Sequence, residues 1–426
     1  MALQLGNKRL AVKLLQEIQQ SGAKLSWLEK LFRDNLQSES YLQQSKRELA
    51  SLSAQLNEAL QRLEKSEFQE ALDKINNNIL APDKEFIIYV NKVFQIVQHD
   101  ENKLQVTGID ERIFEDFEVR LVEYLQEEFS KVSEKQLFIK LQDALEDINS
   151  LKSGQDPNYS LSMTPHVYFM KYFLENIYCI YLAWFLIYQA RLLSTDIKIL
   201  DIAAGPATVA YGLALFLQST SGFFQIPQMH ISYYSLEKQN AFQFRGLQFW
   251  RRYIESGKNP VNAYFRFVTA DLFTWNPLSS NIPKDFFDCI VISHCFFTDS
   301  EKRAQANNTY KQIISDSLKH QGYVLLIIQD KKLFRTYQAK QSEDHEQEKT
   351  LVKTFIDELG LELVWYKYLT STNLRTPLGG VEFTKYAKEN LPKQLYMSSI
   401  LQQYLSQKYE SNYVLDDYII LARKIV

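Results

Sequence analysis

Three carboxylates stand at the ends of apolar runs: Asp201 after Ile197-Lys-Ile-Leu, Glu237 after Ile231-Ser-Tyr-Tyr-Ser-Leu, and Asp271 after Tyr264-Phe-Arg-Phe-Val-Thr-Ala. A fourth run, Asp285-Phe-Phe-Asp-Cys-Ile-Val-Ile, ends instead on Ser293 and His294. Carboxylates accept hydrogen bonds from hydroxyl and amino groups and attract cations, and an imidazole can take a proton near neutral pH. Directly after Asp201 come Ala203, Ala204, Gly205, Pro206 and Ala207, which leave the backbone almost bare, so a ligand can approach it closely. An acid beside such a turn repels a pyrophosphate and suits a ligand that carries hydroxyls and positive charge.

These residues need elements that bring them to one edge. Ile197, Ile199, Leu200 and Ile202 have the character of a strand buried on both faces. Val209, Ala210, Leu213, Ala214 and Leu217 then recur at helical spacing, with Pro206 suited to a first helical turn, so the bare turn sits at a helix N-terminus. The separation between this turn and Glu237 exceeds the usual ~20 residues, and the loop from Ser219 to Gln228 accounts for the excess. A bare turn, two acids and an apolar strand at regular spacing predict a doubly wound α/β sheet whose ligand lies beyond the strands' carboxyl ends.

The turn resembles motif I of the class I S-adenosylmethionine-dependent methyltransferases, a D-x-G-x-G-x-G pattern that reads D-I-A-A-G-P-A here. Gly205 is kept, while Ala203 and Ala207 stand where that family has glycine, which weakens binding if either position needs a positive φ. The resemblance covers roughly residues 165–426 and implies a Rossmann-like, seven-stranded methyltransferase sheet with S-adenosylmethionine as cofactor. It implies Asp201, Ala203, Gly205 and Ala207 at the amino-acid end, Glu237 on the ribose, and Asp271 with the backbone of Leu272 on the adenine. Ser293 and His294 then lie beside the reacting methyl group, with His294 the base for a hydroxyl or another small-molecule nucleophile. Neither an Asn/Asp-Pro-Pro-Tyr sequence nor a Pro-Cys pair marks a nitrogen or cytosine acceptor. The resembled family ends in an antiparallel strand pair, here interrupted by an insertion at about residues 372–411. Two other functions fit the same residues: a non-catalytic interaction protein that keeps the fold, and an RNA methyltransferase acting in a ribonucleoprotein.

The chain of 426 residues is 46% hydrophobic and 23% charged, with a net charge of −3, so no global field draws it to nucleic acid or to an anionic membrane. Arg245, Arg251 and Arg252 among Phe242, Phe244, Phe249 and Trp250 make an RNA contact conceivable but not favoured over packing. The three cysteines, Cys179, Cys289 and Cys295, fit packing positions in a reducing compartment, and no metal is expected. Ile177 to Tyr188 is apolar yet shorter than the ~20 residues of a membrane span, and the first residues lack a signal-peptide core, so a cytoplasmic protein without membrane contact is expected.

Residues 1–155 read as a separate all-α domain for docking or self-association. A helical seam runs through Leu49, Leu52, Leu56, Ala59 and Leu63, and a helix is predicted from Lys84 to Gln98. A linker at residues 152–160 separates this part from the methyltransferase-like domain over 156–426. The stretch from Lys331 to Thr350 reads as charged and exposed.

Overall fold

In a computed structural model, the described residues are 79–149, 157, 159–224, 229–257, 261–276 and 281–425, with residues 7–22 and scattered positions up to 46 near the start. The chain divides into two compact units, Met1–Asn77 and Asn78–Val426. The first contains helix α1 (Lys8–Gln20). The Leu49–Leu63 seam and most of the 152–160 linker lie outside the described residues.

The second unit begins with α2 (Lys84–Val93), a short hairpin of β1 (Ile96–Gln98) and β2 (Lys103–Val106), then α3 (Glu111–Ser130) and α4 (Glu134–Asn149). Helices α5 (Thr164–Tyr168) and α6 (Leu174–Gln189) are joined by a π-turn over Phe169–Phe173. The alternating part follows: β3 (Asp196–Ile202), α7 (Thr208–Thr220), β4 (His230–Glu237), α8 (Asn240–Trp250), β5 (Ala263–Thr269), β6 (Phe287–Ser293), α9 (Ser300–Ser317) and β7 (Leu318–Gln329). The chain closes with α10 (Asp330–Thr336), α11 (His345–Glu358), β8 (Leu361–Thr370), α12 (Gly380–Asn390), α13 (Leu395–Leu405) and β9 (Asp416–Lys424).

The strands form one mixed sheet in the order β1-β2-β8-β9-β7-β6-β3-β4-β5. Strands β3 to β7 are parallel, and β9 runs antiparallel to both β7 and β8, as the resemblance implies for the final pair. Strand alternation feeds two cores: Ile197 and Ile199 enter one face, Leu200 and Ile202 the other. The second face is covered by α9, α10 and α11 through Ile313, Leu333, Phe334, Val352 and Phe355. Helix α6, buried at twelve positions including Tyr178, Tyr181 and Trp184, lies in the first face against α7. No described helix is long and apolar enough to cross a membrane.

Two expectations need correction. The sheet has nine strands rather than seven, because β1 and β2 arise within the stretch read as all-α and β2 pairs in parallel with β8. The predicted helix to Gln98 stops at Val93; Gln95 turns with φ +50°, and Ile96–Gln98 pairs with β2, whose Lys103 to Gln105 pair in turn with the edge of β8. Within the second unit, described residues on both sides of 155 share one core. The apolar stripe of α3, Phe114, Phe117, Leu121 and Leu125, enters the core shared with Phe173, Tyr211 and Phe249, and Phe117 meets Phe249 at 5.5 Å between ring centres. The expected insertion supplies α12 and α13, and α13 packs on the same helices, with Met397 N–H donating to Glu118 at 2.8 Å.

Candidate active site

The carboxyl ends of β3 to β7 open on one cavity of about 640 Å³, a size ordinary for small-molecule sites. Ala203, Gly205, Glu237, Asp271, Leu272, Ser293 and His294 all line it; Asp201 and Ala207 do not. From the opposite side, Tyr168, Tyr172 and Asn176 face the turn after β3, with Asn176 donating to the Tyr168 hydroxyl at 2.8 Å. His166, two residues before Tyr168, is 1% exposed, and burial lowers its pKa to about 4 and keeps it neutral.

After Ile202 the chain enters the left-handed region at three alternate residues: Ala203 at φ +57°, Gly205 at +53° and Ala207 at +65°. These are the positions the motif reserves for glycine, and an alanine in that region costs ~1–2 kcal/mol. Ala207 acts as the backbone N-cap of α7, so the helix starts at Thr208 rather than at Pro206, and its methyl is buried in the core. Ala207 thus does not line the cavity, where the resemblance implies a cofactor contact. A Cβ built on Gly205 would meet nothing within 4 Å, so this backbone looks into open space. The back of the turn is held close: a Cβ on Gly246 of α8 would stand 2.3 Å from the Pro206 carbonyl oxygen. Only glycine lets the helix seat there.

Glu237 crosses the cavity wall to the turn. One carboxylate oxygen accepts from Gly205 N–H and the other from Gln239 N–H, each at 2.9 Å. Burial pushes its pKa up, and those backbone donors offset part of the rise. Asp271 is stabilised as an anion: burial raises its pKa, but the Phe273 N–H and the Lys238 ammonium at 2.9 Å outweigh that and hold it below the usual carboxylate range. The rings of Phe273 and Phe297 meet edge to face at 5.1 Å on the same wall.

Asp201 departs from expectation. Its side chain lies 1% exposed on the face of β3 that carries Ile199, and it accepts a hydrogen bond from the Tyr233 hydroxyl. Burial pushes its pKa to about 8, the Tyr233 bond lowers it, and nearby Glu237 raises it again. As placed, the Asp201 carboxyl does not line the cavity. The period of two along β3 puts Asp201 on the Tyr233 side, while the residues after the strand turn to the opening.

The residue after β6, His294, is also left-handed, at φ +59°. Its Nδ1 lies 2.9 Å from Ser293 Oγ and its Nε2 lies 3.0 Å from Asp417 Oδ1 on β9. An ionised carboxylate only accepts, so this network assigns the ring proton to Nε2 and leaves Nδ1 to accept from Ser293. Cys179 Sγ, a His294 nitrogen and an Asp417 oxygen also lie within 4.8 Å of one another, a spacing a metal ion could use. Hydrogen bonds account for it without one: burial and Asp417 raise the Cys179 thiol's pKa, so it stays protonated and donates to the same carboxylate. Asn176, Lys238 and Asp417 went unread in the sequence; only strand register reveals Asp417, 123 residues from His294.

No protein-family model and no curated protein matches the sequence. Among solved structures, the chain is similar to a SAM-dependent methyltransferase of Methanosarcina mazei at 13% identity and a TM-score of 0.31, over 55% of this chain and 95% of that one. It is similar to a putative methyltransferase of Haloferax volcanii, solved with the Trm112 methyltransferase activator, at 10% identity and a TM-score of 0.32, over 62% and 94% of the two chains. A fibrillarin/Nop5p complex is similar at 14% identity and a TM-score of 0.29, over 55% and 75%.

Proposed function

We propose that this cavity binds S-adenosylmethionine and that the protein transfers its methyl group to a proton-bearing acceptor. The observation that carries the reading is the Glu237 carboxylate held against the open backbone of Gly205, in a cavity that runs on to Asp271 in one direction and His294 in the other. The residues present fit the cofactor: nothing fills the space over Gly205, and carboxylates at the ends of β4 and β5 stand ready to accept from ribose hydroxyls and an adenine amino group. When bound, the cofactor supplies a methyl group on a positively charged sulfur, open to in-line displacement with the electron pair left on sulfur. Tyr168 and Asn176 offer polar contact at the amino-acid end, and Leu272, Phe273 and Phe297 offer apolar walls for the base. His294 takes the acceptor's proton at Nδ1, in the place now occupied by the Ser293 hydroxyl, while Asp417 fixes the ring and stabilises the imidazolium. Alignment of the reactants supplies most of the rate, so few other groups are required.

The alanines at φ +57° and +65° favour a second reading, a protein that keeps the fold and has lost the cofactor. Titration calorimetry with S-adenosylmethionine separates the two. Micromolar binding supports the enzyme, and no heat at millimolar ligand supports the interaction protein.

A further inference from the structure

Methyl transfer at the end of β6 needs a base and the group that orients it, His294 and Asp417. It does not need the serine beside them. Ser293 closes β6, lines the cavity together with His294, and sets its Oγ 2.9 Å from the ring Nδ1. Neighbouring side chains of a strand point to opposite faces, so Ser293 and His294 would part if β6 ran on. The backbone turns instead: His294 keeps its N–H on the Ile327 carbonyl of β7 at 2.8 Å and takes a φ of +59°. A non-glycine residue in the left-handed region is strained, and such strain gathers at functional sites. The strained residue is the one whose ring meets the hydroxyl before it.

The row of groups continues away from the cavity. His294 Nε2 lies 3.0 Å from Asp417 Oδ1, and Asp417, 7% exposed, also accepts from Asp416 N–H at 3.3 Å and from the Cys179 thiol. Hydroxyl, imidazole and buried carboxylate thus form one hydrogen-bonded line with the hydroxyl at the open end. A serine nucleophile requires this order: the base takes the hydroxyl proton, while the carboxylate holds the ring in the tautomer that can accept it and stabilises the imidazolium. Tyr172 lines the same cavity, and burial and Glu175 raise its pKa to about 12, so its hydroxyl remains a donor for an oxygen that turns negative.

We propose that Ser293 is a nucleophile activated by His294 and Asp417, and that the cavity hydrolyses small carboxylic esters as a second activity. Ser293 Oγ bonds to the ester carbonyl carbon as its proton passes to His294 Nδ1, and the carbonyl electron pair moves onto oxygen. When that pair returns, the ester's alcohol leaves with the proton from Nδ1. Water repeats the sequence on the acyl-serine: it gives a proton to Nδ1 and bonds to the carbonyl carbon, and Ser293 departs as the free hydroxyl, leaving a carboxylic acid. Asp417 stays ionised throughout. A cavity of about 640 Å³ admits a small ester. No step uses S-adenosylmethionine, so the proposal stands apart from the methyl-transfer reading.

The test uses the full chain without cofactor and two probes, an alkyl fluorophosphonate and 4-nitrophenyl acetate. Peptide mass spectrometry should find the phosphonyl group on Ser293 in the native chain and not in urea. 4-Nitrophenyl acetate should be hydrolysed, and Ser293→Ala should lose the adduct and at least about a hundredfold of the rate. His294→Gln should slow the labelling of Ser293 about a hundredfold, the ordinary contribution of a general base. The position of the adduct on the unaltered chain decides the matter even where a variant fails to fold. No adduct on Ser293, an adduct that forms equally in urea, or hydrolysis that survives Ser293→Ala overturns the proposal. Those outcomes leave methyl transfer intact, because that reading needs His294 and Asp417 alone.

Discussion

Replacing Ala203 by glycine isolates the cost of the turn. At φ +57° the alanine pays ~1–2 kcal/mol that glycine does not. Against this stand ~0.4–1 kcal/mol of extra unfolded-state entropy and roughly 0.4 kcal/mol for a half-buried methyl. The net is a gain of ~0.5 kcal/mol. At Ala207, φ +65° but 3% exposed, the lost methyl is worth twice as much, ~0.8 kcal/mol, and the same substitution should be close to neutral. Ala204 has no left-handed backbone and is 5% exposed, so Ala204→Gly should cost ~1–1.5 kcal/mol. Urea denaturation of the three variants at constant slope reads these differences directly. Ala203 also lines the cavity, so removal of its methyl should tighten S-adenosylmethionine roughly threefold in calorimetry. If Ala203→Gly destabilises as much as Ala204→Gly, the strain argument is wrong; if it weakens the cofactor, the ligand does not lie over this turn.

Glu237→Gln removes the charge that faces the turn and should weaken S-adenosylmethionine about tenfold, ~1.4 kcal/mol, with the fold retained; an unchanged affinity in calorimetry would remove Glu237 from the site. Tyr233→Phe strips the Asp201 carboxyl of its donor and should cost ~1–3 kcal/mol in urea melts, and a neutral result would mean that the pair is not buried. Burial pushes Asp201 and Glu175 to about 8 and Asp416 to about 7, all above their unfolded values. The folded state thus holds protons that the unfolded state has released, so what these three groups contribute to stability is full below the ordinary carboxylate range and falls as pH rises toward 8. Asp201→Asn should flatten that fall, and an unaltered slope would contradict it. For His294, long-range 15N NMR should show the neutral ring protonated at Nε2, with the preference lost in Asp417→Leu; an Nδ1-protonated ring would rule out the proposed proton acceptor.

The strand–turn–helix from Ile197 to Leu217 was legible because its signals agree: a doubly buried strand, a row of small residues and helical spacing. The same held for Glu237, Asp271, Ser293 and His294, each of which ends an apolar run and reaches the same cavity. The Asp201 side chain was misplaced because a strand's period tells which residues share a face, not which face carries the ligand. Residues 96–106 were missed because Val90, Val93 and Val97 continue a helical spacing, and only the edge of β8 makes a strand of this stretch. Asp417 meets His294 solely through the pairing of β9 with β7, which no local pattern encodes. The charges of Lys331 to Thr350 hid α10, although the adjacent pair Leu333-Phe334 was a packing signal in plain sequence.

Hydrogen exchange followed by mass spectrometry, with and without saturating S-adenosylmethionine, asks directly where that molecule sits. The amides of residues 203–208, 237–242 and 271–274 should slow together, since these segments border one cavity from three strand ends. Protection confined to other parts of the chain, or none at millimolar cofactor, would contradict the assignment of this cavity as its site.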